Sequence, residues 1–365
     1  MAQSKKPIVM IAGGGTGGHV YPALAIAHAL KKKNPEIDIH FVGTVKGIET
    51  KLVTRENFPL HFLPVSGLKN LSLLARLKGV LLIPLSIFKS AQLVLSMKPQ
   101  FVLGVGGYAS GPFLLASALL GRKTAIWEPN AFPGLTNRIL SPFVDMAFVV
   151  FEASQEFLKT KKMISLGMPL RAGIEAHPRE VHSSLRVLIF GGSLGARGIN
   201  TTVSEAVVRG GKWLEGVEIV HQTGATDFEV VKQKYESAGS RVDVQPFLYD
   251  MQQRYAWADL VFCRSGASTV AEIASAQKAA VFIPFPQAAD DHQKKNAEIL
   301  SQNGAAVLVV QKEFTPQKFI ELVEYYKEHP ADIQKLQEKV KAFHRPNASE
   351  VISDIILGEI KGTHP

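Results

Sequence analysis

The stretch AGGGTGGHV, residues 12 to 20, follows the apolar run PIVMI and opens into YPALAIAHAL. Gly13, Gly15 and Gly18 form a G-x-G-x-x-G pattern, and His19 stands directly after it. A glycine turn between a strand and a helix can seat a dinucleotide. The pyrophosphate then lies at the helix N-terminus, and an Asp or Glu about 20 residues on binds the ribose hydroxyls. Here the second strand, inside IDIHFVGT, ends Val42-Gly43-Thr44 without an acid, and Asp38 lies at its beginning. The dinucleotide reading fails that check. What remains is a set of backbone amides at a helix N-terminus, suited to polar or anionic groups. His19, at the lip of the turn, has two readings of equal weight. It is a proton acceptor for an attacking hydroxyl, or a histidine that caps or packs.

Further loops repeat this chemistry. GGSLGARGIN, residues 191–200, puts Ser193 and the following amides at another helix N-terminus, and the next strand ends VHQTG, again without an acid. In CRSGASTVAEIA, residues 263–274, LVFC reads as a strand and Ser265 to Thr269 as a turn and helix start, a seat for a diphosphate. Glu272 either accepts bonds from a ribose diol or closes a capping box with Thr269. PFPQAADDHQKKNA, residues 284–297, carries Asp290, Asp291 and His292, with a helix beginning near Gln293. Three adjacent residues rarely converge on one ion, so no metal is expected, and the loop suits sugar hydroxyls better. GVGGYASGP and EPNAFPGLTN are rich in Gly, Pro and Asn, and ordinary turn chemistry explains them as well as function does.

The elements that position these loops alternate from end to end. Strands are predicted near 8–12, 37–42, 101–105, 124–127 and 146–150, with helices beginning near Pro22, Gly47, Leu71, Pro112, Gly134 and Ser154. Pro22 and Pro112 are expected in the first turns of their helices. Around LGMPLRAGIEAHPREVHSS, residues 166–184, the periodicity stops, which marks a linker. RVLIF followed by a glycine loop then restarts the pattern, with strands near 217–221, 243–246, 260–263, 280–283 and 306–309. The expectation is α/β: two Rossmann-like domains, 1–165 and 185–345, facing a central cleft outside the carboxyl ends of their strands.

At 365 residues the chain suits two domains. Its single cysteine, Cys263, excludes an internal disulfide framework and fits a reducing cytosol. IVMIA after MAQSKKP is too short for a signal-peptide core. A net charge of +9 asks for an anionic partner. No acid occurs between Glu56 and Glu128, whereas Lys69, Arg76, Lys78, Lys89, Lys98, Arg122 and Lys123 do, beside the leucine-rich LSLLARLKGVLLIPLSIF. Apolar surface with cations and no anions is how a peripheral protein meets a negatively charged bilayer. A buried helix with its lysines in solvent is the equal alternative. Dense Arg/Lys clusters with interleaved aromatics are missing, so nucleic acid is not expected as a partner. The uncharged stretch 99–121 carries GVGGYASGP in its middle, which breaks a helix, so a strand, a loop and a helix from Pro112 are predicted instead of a membrane span.

In this order, GGGTGGHVYPALA, GVGGYASGP, WEPNAFPGLTNR, GMPLR, GGSLGARGIN, CRSGASTVAEI and PFPQAADDHQKKNA resemble the MurG family of bacterial peptidoglycan glycosyltransferases. The resemblance runs from about residue 8 to residue 300. It implies a GT-B glycosyltransferase fold with a C-terminal helix, within 346–365, packing back onto the first domain. It also implies inverting β-1,4 transfer of GlcNAc from UDP-GlcNAc to lipid I, without a cofactor or metal. By the family's pattern Thr16, Gly17, Gly18, Asn130, Arg171 and Ser193 contact the donor. Ala267, Ser268, Thr269, Val270, Ala271 and Glu272 cradle the UDP, with Leu248 beside the uracil and Gln293 reading the GlcNAc hydroxyls. Gly106, Gly107, Tyr108 and Ser110 line the acceptor side. His19 is the first candidate base and Glu128 the second. The implied partners are the anionic cytoplasmic face of the inner membrane and cell-wall assembly proteins. Readings kept beside this one are a UDP-GlcNAc 2-epimerase or other glycolipid glycosyltransferase of the same fold, an NAD-dependent oxidoreductase, and a non-catalytic nucleotide-sugar binder.

Overall fold

The computed structural model describes residues 6–65, 73–170, 174–176, 182–192 and 194–362, the side chains of 73–81 excepted. The chain divides into two compact units, Met1–Arg171 with Arg345–Pro365, and Ala172–His344.

Unit 1 runs β1 (Ile8–Gly13), α1 (Gly17–Lys33), β2 (Asp38–Gly43), α2 (Glu49–Arg55), β3 (Leu60–Phe62), α3 (Leu73–Met97), β4 (Phe101–Gly106), α4 (Ser110–Leu119), β5 (Lys123–Glu128), α5 (Leu135–Leu140), β6 (Met146–Val149) and β7 (Lys162–Ser165). Its sheet is parallel throughout, in the order β3-β2-β1-β4-β5-β6-β7. Val9, Met10, Ile11 and Ala12 of β1 are all fully buried, because helices cover both faces. That double burial is why the inner strands read as apolar runs instead of alternating patterns.

Unit 2 runs β8 (Leu185–Phe190), α6 (Arg197–Arg209), β9 (Val217–Gln222), α7 (Phe228–Ser237), β10 (Asp243–Gln245), α8 (Met251–Trp257), β11 (Leu260–Cys263), α9 (Ala267–Ala276), β12 (Ala279–Phe282), α10 (His292–Gln302), β13 (Val307–Leu308), α11 (Pro316–Glu328) and α12 (Pro330–Val340). Its parallel sheet has the order β10-β9-β8-β11-β12-β13, the same winding as the first six strands of unit 1. In each sheet the chain reverses direction between the first and fourth strands, β1 and β4 or β8 and β11. The crevice beyond the carboxyl ends of such a pair is where α/β sheets bind ligands. The glycine loops after β1 and β4, and those after β8 and β11, open onto these two points.

The last helix, α13 (Ala348–Gly362), belongs to unit 1 and lies on α1. Ile352, Ile356 and Ile360 are buried, Lys33 pairs with Asp354 at 2.5 Å, and the Ser353 hydroxyl reaches Ile26 O at 3.5 Å.

Four expectations need correction. Pro22 is not in a first turn: α1 begins at Gly17, so the proline sits inside the helix, where it removes the bond that would run to Gly18 O. Gly17, Gly18 and His19, which read as loop, are therefore the first turn of α1. The helix expected near Ser154 is a short 3₁₀ helix of two turns, Glu152–Phe157. Strands β3 and β7 were not anticipated, because LHF and KMIS are short edge strands with only partial burial and no apolar run. Pro112 does fall in the first turn of α4, and 99–121 folds as strand, loop and helix. Among the described residues no helix is long and apolar enough to cross a membrane.

Candidate active site

The loop after β1 is held from two sides. Gly14 N donates to Gly106 O at 3.2 Å, tying it to the loop after β4. At Gly107, φ is +83° and an added Cβ would run into Gly14 O, so the two backbones pack without side chains between them. From the other side comes Glu49, the first residue of α2, a buried carboxylate. Its Oε2 accepts from Gly15 N at 2.7 Å, and its Oε1 accepts from Thr44 N and Thr44 Oγ1, both at 2.9 Å. Burial pushes this carboxyl up, and the hydrogen bonds from Gly15 and Thr44 more than offset it, leaving the group below its ordinary range. An acid does stand beyond the second strand, but the protein's own loop uses it.

Thr16 is the N-cap of α1 and makes no side-chain cap bond. Its hydroxyl lies 3.4 Å from His19 Nδ1, and the same nitrogen lies 3.1 Å from Gly14 O. The Nε2 side of the ring faces Gly106, where an added Cβ would come within 3.0 Å of Nε2. His19 is therefore seated at the switch point of the sheet with Nδ1 turned to backbone. Beside it, Gly106 has φ +93° and Tyr108 is exposed. Ser110 is fully buried against Gly104, and its hydroxyl has no partner among the described residues. The side chain stands at the first residue of α4, next to the loop of Gly106, Gly107 and Tyr108.

Glu128 ends β5 and is 1% exposed. Oε1 accepts from Asn130 N at 2.9 Å and Asn130 Nδ2 at 3.0 Å, while Oε2 accepts from Gly134 N and Asn137 Nδ2, both at 2.9 Å. Burial raises its pKa, and these four donors pull the other way. The carboxylate shapes the turn that presents Asn130 and starts α5.

In unit 2 the loop after β8 passes Gly192 and Gly195, closed by Gly195 N to Gly192 O at 2.9 Å. Behind it lies a buried polar network. His221 contacts the Tyr235 hydroxyl at 2.7 Å through Nδ1 and Asn200 Oδ1 at 3.2 Å through Nε2. Asn200 Nδ2 donates to Thr223 O at 2.8 Å and Asp227 Oδ2 at 2.9 Å. Burial pushes His221 down to about 3, so it stays neutral and serves structure.

After β11, Gly266 is the N-cap of α9, so Ala267, Ser268 and Thr269 form its first turn. The capping box of Thr269 with Glu272 is absent: Glu272 lies well inside the helix, and its Oε2 accepts from the buried Tyr255 hydroxyl at 2.9 Å. Val270 and Ala267 are buried, whereas Ser268, Thr269, Ala271 and Glu272 are partly exposed. The Leu248 side chain is buried, which leaves its backbone as the part able to meet a base. Ser265 Oγ donates to Gln293 O at 2.8 Å, and Gln293 Oε1 accepts from Phe285 N at 3.0 Å, so the loops after β11 and β12 are knit together. Arg264 completes this by donating to Ile283 O, Pro284 O and Gln311 Oε1 at 2.9, 3.0 and 2.6 Å. Arg171 and Ser193 lie outside the described residues. Unit 1 thus gathers Thr16, Gly17, Gly18, His19, Gly106 and Gly107, and unit 2 gathers 267–272 and Gln293.

Residues 9–149 match the glycosyltransferase family 28 N-terminal domain, and residues 186–352 match the family 28 C-terminal domain. A UDP-N-acetylglucosamine--N-acetylmuramyl-(pentapeptide) pyrophosphoryl-undecaprenol N-acetylglucosamine transferase of Bdellovibrio bacteriovorus is 46% identical over 96% of this chain and 99% of its own. The chain belongs to this transferase family. A Myxococcus xanthus protein of the same name is 41% identical, covering 96% of this chain and 92% of its own. The crystal structure of Acinetobacter baumannii MurG matches with a TM-score of 0.79 at 32% identity, over 96% of this chain and 99% of that one. These matches carry the GT-B glycosyltransferase fold, two Rossmann-like domains each on a parallel sheet.

Reading the sequence missed Glu49, Asn137, Asn200 and Arg264. Three of them bond to backbone far along the chain, which no local spacing reveals. Glu49 left a trace, since Gly14, Gly43 and Gly47 each lack the Cβ that would overlap its carboxylate.

Proposed function

We propose that this chain transfers GlcNAc from UDP-GlcNAc to the C4 hydroxyl of the MurNAc sugar in lipid I, giving lipid II for peptidoglycan synthesis. The observation that carries this reading is the near full-length match to transferases named for that reaction. The acceptor oxygen attacks C1 of GlcNAc, the bond from C1 to the diphosphate breaks, and inversion leaves a β-1,4 link. UDP departs with negative charge that the amides at the start of α9 are suited to stabilise. Ala267 to Glu272 cradle the UDP, with Glu272 on the ribose and the Leu248 backbone beside the uracil. Gln293, Asn130, Arg171, Ser193, Thr16, Gly17 and Gly18 complete the donor contacts. His19 takes the proton of the attacking hydroxyl, next to an acceptor loop of Gly106, Gly107, Tyr108 and Ser110. Glu128 is the weaker candidate, because four N–H donors already occupy both of its oxygens.

The enzyme works at the cytoplasmic face of the inner membrane as a peripheral protein. What supports this is the acid-free basic span together with exposed Ile83, Leu85, Phe88 and Leu95 on α3, and exposed Leu135, Ile139 and Phe143 at and after α5. Supply of lipid II links it to cell shape and division, with cell-wall assembly proteins as its neighbours. The test is UDP release from UDP-GlcNAc with and without a short-chain lipid I analogue, using UDP-glucose and UDP-GalNAc as controls. Release that needs the acceptor and prefers GlcNAc is expected. Release without acceptor would point to epimerase or hydrolase chemistry and overturn the reading.

A further inference from the structure

A carboxylate and the candidate base meet across a single peptide unit. The N–H of the Gly14–Gly15 peptide donates to Glu49 Oε2 at 2.7 Å, and the C=O of the same peptide lies 3.1 Å from His19 Nδ1. A carbonyl oxygen only accepts, so the second contact is a hydrogen bond when Nδ1 carries the proton. Glu49 is buried and held by three donors, which keeps it ionised at neutral pH. Gly14, Gly43 and Gly47 clear the space that this carboxylate occupies.

We propose that Glu49 is a positioning residue for His19, acting through the Gly14–Gly15 peptide. Its negative charge polarises that peptide, so Gly14 O becomes a stronger acceptor for Nδ1–H. This fixes the tautomer in which Nε2 is the basic nitrogen, and it stabilises the imidazolium formed when Nε2 takes the acceptor's hydroxyl proton. No proton crosses the peptide. Glu49 stays a carboxylate, Nδ1 keeps its hydrogen, and the C4 oxygen keeps its electron pair for the bond to C1. The arrangement does the work of a carboxylate bonded straight to a catalytic imidazole, with an amide inserted between them.

The other charged groups packed along α1 act elsewhere. Glu56 bonds His28 at 3.1 Å, and Asp354 pairs with Lys33, both nearer the C-terminal end of the helix. Tyr108 stands in the loop after β4 and Tyr21 just past His19 in α1; among the described residues Glu49 is the carboxylate bonded to the glycine loop.

The proposal rests on His19 as the base, and the experiment separates the two. Nitrogen-15 NMR of His19 in the full wild-type chain, above its titration, is expected to show Nδ1 protonated and Nε2 not. The opposite tautomer overturns the proposal without any variant. In Glu49→Gln the tautomer is expected to become mixed, and kcat to fall roughly tenfold to a hundredfold, the range seen when the carboxylate behind a metal-bound histidine is lost. KM for UDP-GlcNAc should change by no more than about twofold. The acidic limb of the kcat profile should move to lower pH, because an imidazolium with less support gives up its proton more readily. Glu49→Asp keeps the charge and should restore part of kcat. A Gln variant that melts earlier but keeps both the tautomer and the acidic limb would make Glu49 a clamp only. If His19→Ala retains kcat, His19 is not the base, whatever the tautomer shows.

Discussion

Replacing Glu128 with Gln tests whether this carboxylate builds the turn after β5. Glu128 accepts four N–H bonds, two on each oxygen. An amide keeps one oxygen and turns the other into an NH₂ group, so one pair of donors must face a donor. Bonds to a charged acceptor are worth roughly 1.5–3 kcal/mol each, giving about 3–6 kcal/mol for two. The gain from no longer burying a charge acts against this, and the lower half, about 3–4 kcal/mol, is expected. In a domain of some 150–250 residues each kcal/mol moves Tm by roughly 2–4 °C, so the transition of unit 1 should fall by about 6–16 °C. Calorimetry reads the shift, and hydrogen exchange places it: the Gly134 amide should lose protection while β1 keeps its own. A Tm within about 2 °C of wild type, with Gly134 still protected, would refute the account. The same variant separates roles. Activity lost in step with Gly134 protection marks a builder of the site, whereas activity lost with protection intact would restore Glu128 as a base.

Acid should weaken unit 1 through Glu49. Its folded pKa lies below the ordinary 4.5, so the stability it contributes is present above about pH 4.5 and is lost as pH falls through the lower folded value. Melting temperatures of wild type should fall more steeply below that pH than those of Glu49→Gln, and parallel curves would contradict it. Gly107→Ala places a Cβ in a left-handed conformation and against Gly14 O, at about 1–2 kcal/mol for the backbone alone. Transfer should drop by roughly a hundredfold while the Kd for UDP-GlcNAc, read by calorimetry, holds. Serine at Leu85, Phe88 and Leu95 together should reduce sedimentation with phosphatidylglycerol vesicles at least tenfold and spare transfer to a water-soluble acceptor. Unchanged sedimentation would move the membrane contact off α3.

Much of this was legible in the sequence, for reasons specific to parallel sheets. IVMIA, FVLGV and LVFC are buried on both faces and so announce themselves as apolar runs, and each has a glycine within three residues of its carboxyl end. The order of the loops therefore sufficed for the two Rossmann-like halves and for the family. LHF and KMIS stayed silent because an edge strand is half wet and carries no such run. Pro22 misled because a proline is most at home in a first turn, whereas here the glycines before it are helical too. What only tertiary structure decided is where the carboxylates point. Glu49 stands 34 positions from Gly15, and Glu272 turns to Tyr255 instead of closing a capping box. Periodicity records which face of an element is buried. A buried charge is satisfied by whichever amides the fold brings within 3 Å, and those amides leave no mark in local spacing beyond the glycines that make room for it.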